Sequence, residues 1–171
     1  MTPKHQRGPT AALRALFAAF AILLAQAAVS AEELRGRVVG ITDGDTLTLL
    51  TERREEVRIR LAAIDTPESG QPYGSRARQV LSDLAFGKQV RVAVQDTDRY
   101  GRTVGRVFAG GLDVNAEMVR RGAAWVFRRY SDDPGLLRLE QAARAERIGL
   151  WALPEAERTP PWDWRAAERH R

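Results

Sequence analysis

The 171-residue sequence contains no cysteine. Disulfides, thiolate nucleophiles and cysteine metal sites are therefore excluded, and nothing in the chain conflicts with an oxidising compartment. Histidine is confined to the two ends, at His5 and His170. No Ser-His-Asp triad, His–His acid–base pair or histidine zinc site can be built inside the domain. If the chain is an enzyme, its base is expected to be a carboxylate and any metal a hard cation held by oxygen. Lysine occurs only at Lys4 and Lys88, so arginine carries nearly all the positive charge. Arginine suits bidentate phosphate contacts. A genome-wide codon bias toward arginine is the main cause of such a count, so only individual positions carry argument. Internal repeats and low-complexity segments are also absent.

One long apolar run is present, and it lies at the N-terminus. Lys4, Arg7 and Arg14 precede it, Ala15 to Ala28 is apolar except for Gln26, and Val29-Ser30-Ala31 supplies small residues. This is the pattern of a secretory signal peptide, residues 1–31, cleaved after Ala31 and directing export to the periplasm or medium. The run is shorter than the ~20 residues of a membrane span, which makes an uncleaved anchor the lesser reading. Residues 32–152 are then the folded domain and residues 153–171 a Pro-, Trp- and Arg-containing tail. The whole chain has 27 Lys and Arg against 22 Asp and Glu. Three of those cations and none of the acids precede residue 32, which leaves a net charge of +2. That is too mild to argue for nucleic acid.

The domain opens as a three-stranded meander. Leu34 to Ile41 reads as a strand, Thr42-Asp43-Gly44-Asp45 as a turn and Thr46 to Leu50 as a second strand. In the third strand Val57, Ile59 and Leu61 face one way and Arg58 and Arg60 the other. A helix is expected from about Ser75, with Ala77, Val80, Leu81, Leu84 and Ala85 in its apolar stripe and Gly87 as its stop. Gln89 to Gln95 and Val104 to Ala109 read as strands four and five, joined by a charged loop. Helices over Asp113 to Arg121 and from Pro134, capped by Asp133, complete the order. Five short strands with a helix between the third and fourth is the order of an OB-type barrel with added helices, an α+β fold. In the tail, Trp162 and Trp164 are expected to dock on the body, because exposed tryptophan is unfavourable.

Three turns hold the candidate chemistry: Asp43 and Asp45; Asp65, Thr66 and Glu68, fed by Arg60; and Asp98-Arg99-Tyr100-Gly101-Arg102. The segments from Ile41 to Thr46, from Arg60 to Glu68 and from Asp98 to Arg102 resemble the three signature blocks of the staphylococcal nuclease (thermonuclease) family. The resemblance runs from about Leu34 to Trp151 and takes in Asp113 to Gly122 and Gly149-Leu150-Trp151. It implies an OB barrel with three helices. It also implies a calcium site at Asp45 and Asp65 with the backbone carbonyl of Thr66. Glu68 would orient or deprotonate the attacking water, and Arg60 and Arg102 would hold the phosphate. Tyr100 would lie near the bound nucleotide, and Arg99 stands where relatives often carry lysine. The substrate implied is DNA or RNA, single strands being favoured because a small cleft stacks a splayed base but does not readily enter a duplex. A monomer with no obligate protein partner is expected.

Blander readings stand beside these. Asp43 is expected to form the turn, Asp98 to cap its loop, Arg58 to be solvated, Tyr73 to pack and Trp125 to lie in the core; Tyr130 is left open. The competing function is a non-catalytic OB module that binds nucleic acid with salt-sensitive affinity and no turnover. A glycosidase built on Asp65 and Glu68 ranks lower, because it gives paired arginines no task.

Overall fold

The computed structural model describes residues 32–169. The expected signal peptide, residues 1–31, lies outside the described residues. β1 (Glu33–Ile41), β2 (Thr46–Thr51) and β3 (Glu56–Leu61) form the expected antiparallel meander. The two-residue strand β4 (Ile64–Asp65) follows, then helix α1 (Gly74–Ala85). β5 (Gln89–Thr97) and β6 (Thr103–Ala109) pair with each other, and β5 returns to β1. A parallel pairing of β3 with β6, Ile59 to Leu61 against Thr103 to Gly105, closes the barrel. The fold is thus the five-stranded OB barrel of the α+β class. The chain continues through β7 (Leu112–Asp113), α2 (Val114–Arg120), β8 (Trp125–Val126), α3 (Pro134–Ala145) and α4 (Pro161–Glu168).

Strand alternation accounts for the barrel's interior. Leu47, Leu49, Ile59, Leu61, Val38, Val92 and Val107 are fully buried. Each large aliphatic side chain so buried contributes about 1.5–3 kcal/mol of transfer free energy. The inner face of α1 (Ala77, Leu81, Leu84, Ala85) seats on the same core. A register shift between Val38 and Gly40 in β1, and another between Val94 and Asp96 in β5, add the local twist that small barrels use to curl.

Most element boundaries fall within a residue of expectation; β5 and the tail differ more. β5 runs two residues beyond Gln95, because its bulge lets Thr97 pair with Thr103. Among the described residues there are four α-helices rather than three, because Pro161 starts a helix in the tail. Proline at a first helical position costs nothing, since that N–H has no intrahelical partner. Trp162 on this helix stacks on Phe127, with ring centroids 5.3 Å apart, and meets Trp125 edge-on at 5.9 Å. The expected docking therefore occurs through Trp162. Trp164 is half-buried.

Candidate active site

The first turn is built by its own side chains. Asp43 Oδ1 accepts the Asp45 N–H at 3.0 Å, closing the loop as a turn former. Gly44 lets the turn lie against Thr66, where an added Cβ would come within 2.6 Å of Thr66 Oγ1. Asp45, 5% exposed, then accepts two hydrogen bonds on Oδ2, from the Thr66 N–H at 2.9 Å and the Thr66 hydroxyl at 3.0 Å, and the same oxygen forms an ion pair with Arg60 Nη1 at 3.1 Å.

β3 delivers Arg60 beside that turn, because Arg60 is the cross-strand partner of Thr46. The guanidinium is pinned by its own chain. Nη1 donates to the carbonyls of Leu61 at 2.9 Å and Ile64 at 3.0 Å, and Nη2 to Asp65 Oδ1 at 2.9 Å. Ala63 turns the chain through φ 67°, and β4 pairs with β8, so Asp65 lies opposite Trp125 and is 1% exposed. One arginine fork therefore spans two buried aspartates. Glu68 sits further out, with its side chain 36% exposed. Its backbone is held by Gln71, whose Oε1 accepts the Glu68 N–H at 3.1 Å.

The third turn supplies the other arginine. Asp98 caps the loop, accepting the N–H groups of Tyr100 and Arg102 and the Arg102 Nε at 2.8 Å. Burial tends to raise its carboxyl, but these donors outweigh it and hold the group below the usual range. Arg102 Nη1 reaches Thr46 Oγ1 at 3.2 Å, which joins the third turn to the first. Tyr100 is 63% exposed, and its hydroxyl accepts from Arg99 Nη2 at 2.6 Å. The Arg99 and Arg102 guanidiniums lie over its ring at 4.8 and 5.7 Å. The structure thus brings Asp45, Asp65, Thr66, Arg60, Glu68 and Arg102 to one mouth and leaves Arg99 and Tyr100 on its open rim. Arg58 is exposed, Tyr73 and Trp125 pack, and Tyr130 is 70% exposed with its ring edge-on to Phe127.

The acids crowd one another. Burial, followed by the charge of Asp45, pushes the Asp43 carboxyl up to about 6. Burial also raises Asp65, and Asp45 adds to it against the pull of the neighbouring arginines. Among the described residues no three Asp, Glu, His or Cys side chains close on a common metal position. The donors at the mouth are all oxygen, and the buried aspartates carry negative charge that a cation would stabilise. Two carboxylates with a carbonyl and water fit a hard cation that accepts 6–8 loosely arranged oxygens.

Sequence reasoning missed Arg165. Its Nη2 lies 2.6 Å from Asp65 Oδ2, and its Nη1 2.5 Å from Glu68 Oε1 and 3.3 Å from Asp65 Oδ1. The available signal was its place three residues after Trp162 behind a helix-starting proline, which puts both side chains on one face. Glu140 was missed too. It is fully buried on the inner stripe of α3, where it accepts the Val126 N–H.

Comparison with known proteins agrees with this architecture. Residues 58–153 match the family model for "Staphylococcal nuclease homologue". A protein of Shigella flexneri called "Micrococcal nuclease" is 45% identical, with 94% of this chain and 95% of that protein covered. Two proteins called "Uncharacterized endonuclease" are similar as well. The one from Haemophilus influenzae is 41% identical over 92% of this chain and 85% of its own length. The one from Escherichia coli O157:H7 is 46% identical over 78% of this chain and 86% of its own length. With its barrel, its three joined turns and this breadth of similarity, the chain belongs to the staphylococcal nuclease family.

Proposed function

We propose that the protein is an exported, calcium-dependent nuclease that hydrolyses phosphodiester bonds of DNA and RNA. Family membership and the relatives' names support hydrolysis of nucleic acid. The observation that carries the mechanism is the single Arg60 fork across Asp45 and Asp65, with Glu68 at the open side of the same mouth. Asp45, Asp65 and the Thr66 carbonyl would hold the cation. Calcium, when bound, supplies Lewis-acid polarisation of the phosphate.

The chain's own groups do the rest. A phosphodiester anion repels an incoming hydroxide, and Arg60 and Arg102 offset that repulsion. Their donors gain strength as negative charge collects on the phosphoryl oxygens in the transition state. Glu68 accepts a proton from the attacking water or orients it, and its partial exposure leaves room for that water. Arg99 and Tyr100, on the rim, contact the flanking strand; the exposed ring can stack an unpaired base, which favours single strands. The charged and apolar pattern of residues 1–31 supports export, and the chain acts as a monomer.

The test is release of acid-soluble nucleotides from denatured DNA by the purified protein with calcium, then with excess chelator, then with calcium restored. Activity that follows calcium is expected. No release under any condition, from folded protein that still binds DNA, would replace the nuclease with a binding module.

A further inference from the structure

Two arginines meet Asp65, and they are held differently. Arg60 belongs to the barrel and is pinned by two carbonyls of its own segment. Arg165 comes from α4, a hundred residues later, and its guanidinium hydrogen bonds go to the carboxylates of Asp65 and Glu68. α4 itself is fastened at two points. Gln71 Nε2 donates to the Thr159 carbonyl just ahead of the helix, and Trp162 stacks on Phe127. The same Gln71 holds the Glu68 backbone through its Oε1, so the loop that carries Glu68 and the approach to α4 share one buried amide.

We propose that α4 is a latch: Arg165 competes with the divalent cation for Asp65 and at the same time ties up Glu68. The proposal rests on the reading that this mouth takes calcium. A calcium ion binds carboxylate oxygen at ~2.3–2.6 Å. Arg165 Nη2 already stands 2.6 Å from Asp65 Oδ2. Both cations on that oxygen would lie at most about 5 Å apart, where like charges repel strongly in a partly buried site. Glu68 Oε1 is likewise taken, so the group that must meet water is tied to a guanidinium until the latch opens. Arg165 thus keeps the two carboxylates apart from one another's charge in the metal-free protein, and calcium must displace it. The cation affinity of the site is set by a residue outside the barrel.

The test is calcium titration by calorimetry of purified, chelator-stripped wild type, Arg165→Gln, Trp162→Ala and Arg169→Gln, with thermal melts of each without metal. Arg165→Gln is expected to bind calcium at least about tenfold more tightly than wild type, the scale of losing charge-assisted hydrogen bonds, while melting lower without metal. A residue with a merely structural role would lower the melt and weaken calcium. Trp162→Ala frees the helix without touching the carboxylates and should tighten calcium in the same direction. Arg169→Gln, exposed at the end of the same helix, removes an equal charge and should change affinity less than about twofold. Equal affinities in wild type, Arg165→Gln and Trp162→Ala overturn the latch and leave the calcium site standing. An equal gain in Arg169→Gln replaces the latch with general electrostatics. No calcium binding by any of the four overturns the metal reading and the latch together.

Discussion

Glu140 Oε1 accepts the backbone N–H of Val126 at 2.9 Å from a position with no solvent exposure. This bond ties α3 to β8, and β8 pairs with the strand that carries Asp65. The other Glu140 oxygen takes Arg128 at 2.8 Å and Arg144 at 3.2 Å, both largely open to water. Those ion pairs compensate the charge of a buried carboxylate, and both they and the backbone bond go with the side chain. The buried N–H separates the two variants, because Glu140→Ala leaves it without a partner. A loss of about 2–3 kcal/mol is expected in chemical denaturation. Glu140→Gln keeps an acceptor and should cost less than half as much. Equal losses in the two variants would mean that charge matters there, not the backbone bond.

Glu68 and Arg60 should separate chemistry from stability. Glu68 is partly exposed, and its ion pair with Arg165 adds little to the fold. Glu68→Gln is therefore expected to melt near wild type while turnover falls roughly 10²–10⁴-fold. Arg60 is a fork with three hydrogen-bond acceptors, two of them carbonyls, and an ion pair to Asp45. Arg60→Lys supplies one ammonium in place of that fork and should lower both turnover and melting temperature. Near-normal turnover in Glu68→Gln would remove Glu68 from the mechanism.

Much of this was legible beforehand because it is local. Alternation in Val57 to Leu61 placed Arg60 on the face opposite the core, and Asp-Gly marked the first turn. The three turns were visible as segments, but their meeting depends on the parallel closure of β3 against β6, a pairing with no local signal. Glu140 occupies a helix-stripe position where sequence patterning expects an apolar side chain, and only the buried Val126 N–H on the edge of β8 explains the exception. Arg165 was obscured for a different reason. A proline-rich tail reads as a terminator, yet Pro161 starts a helix as readily as proline ends one.

The acids at the first turn give a pH signature. Asp43 is raised to about 6 by burial and by the charge of Asp45, from an ordinary value of 3.8. Between those pH values the folded state holds more protons than the unfolded chain, so this group's contribution to stability falls as pH rises from about 4 to 6. Asp43→Asn keeps the oxygen that accepts the Asp45 N–H and removes the titration. In metal-free protein the variant should gain on wild type as pH rises, and exceed it above pH 6. Urea midpoints for both proteins between pH 4 and 8 read the difference. A constant gap across that range would show that Asp43 does not titrate there.

Gly74 is the last point at which backbone geometry and chemistry meet. A Cβ on this residue would come within 1.9 Å of the Glu68 carbonyl oxygen and 2.8 Å of its carbon, both backbone atoms that cannot rotate away. Gly74→Ala must therefore push the Glu68 segment outward or shift the start of α1. Displacement of a reacting group by ~1 Å costs about 10² in rate, and overpacking costs about 1–3 kcal/mol. Gly70, in the same loop, has open space where its Cβ would stand. Gly70→Ala should therefore melt and turn over like wild type. If Gly74→Ala loses stability but keeps its turnover below the melt, the loop tolerates movement and Glu68 is not positioned by this contact. If both properties fall while Gly70→Ala stays normal, close packing of α1 under Glu68 is part of what sets the catalytic geometry.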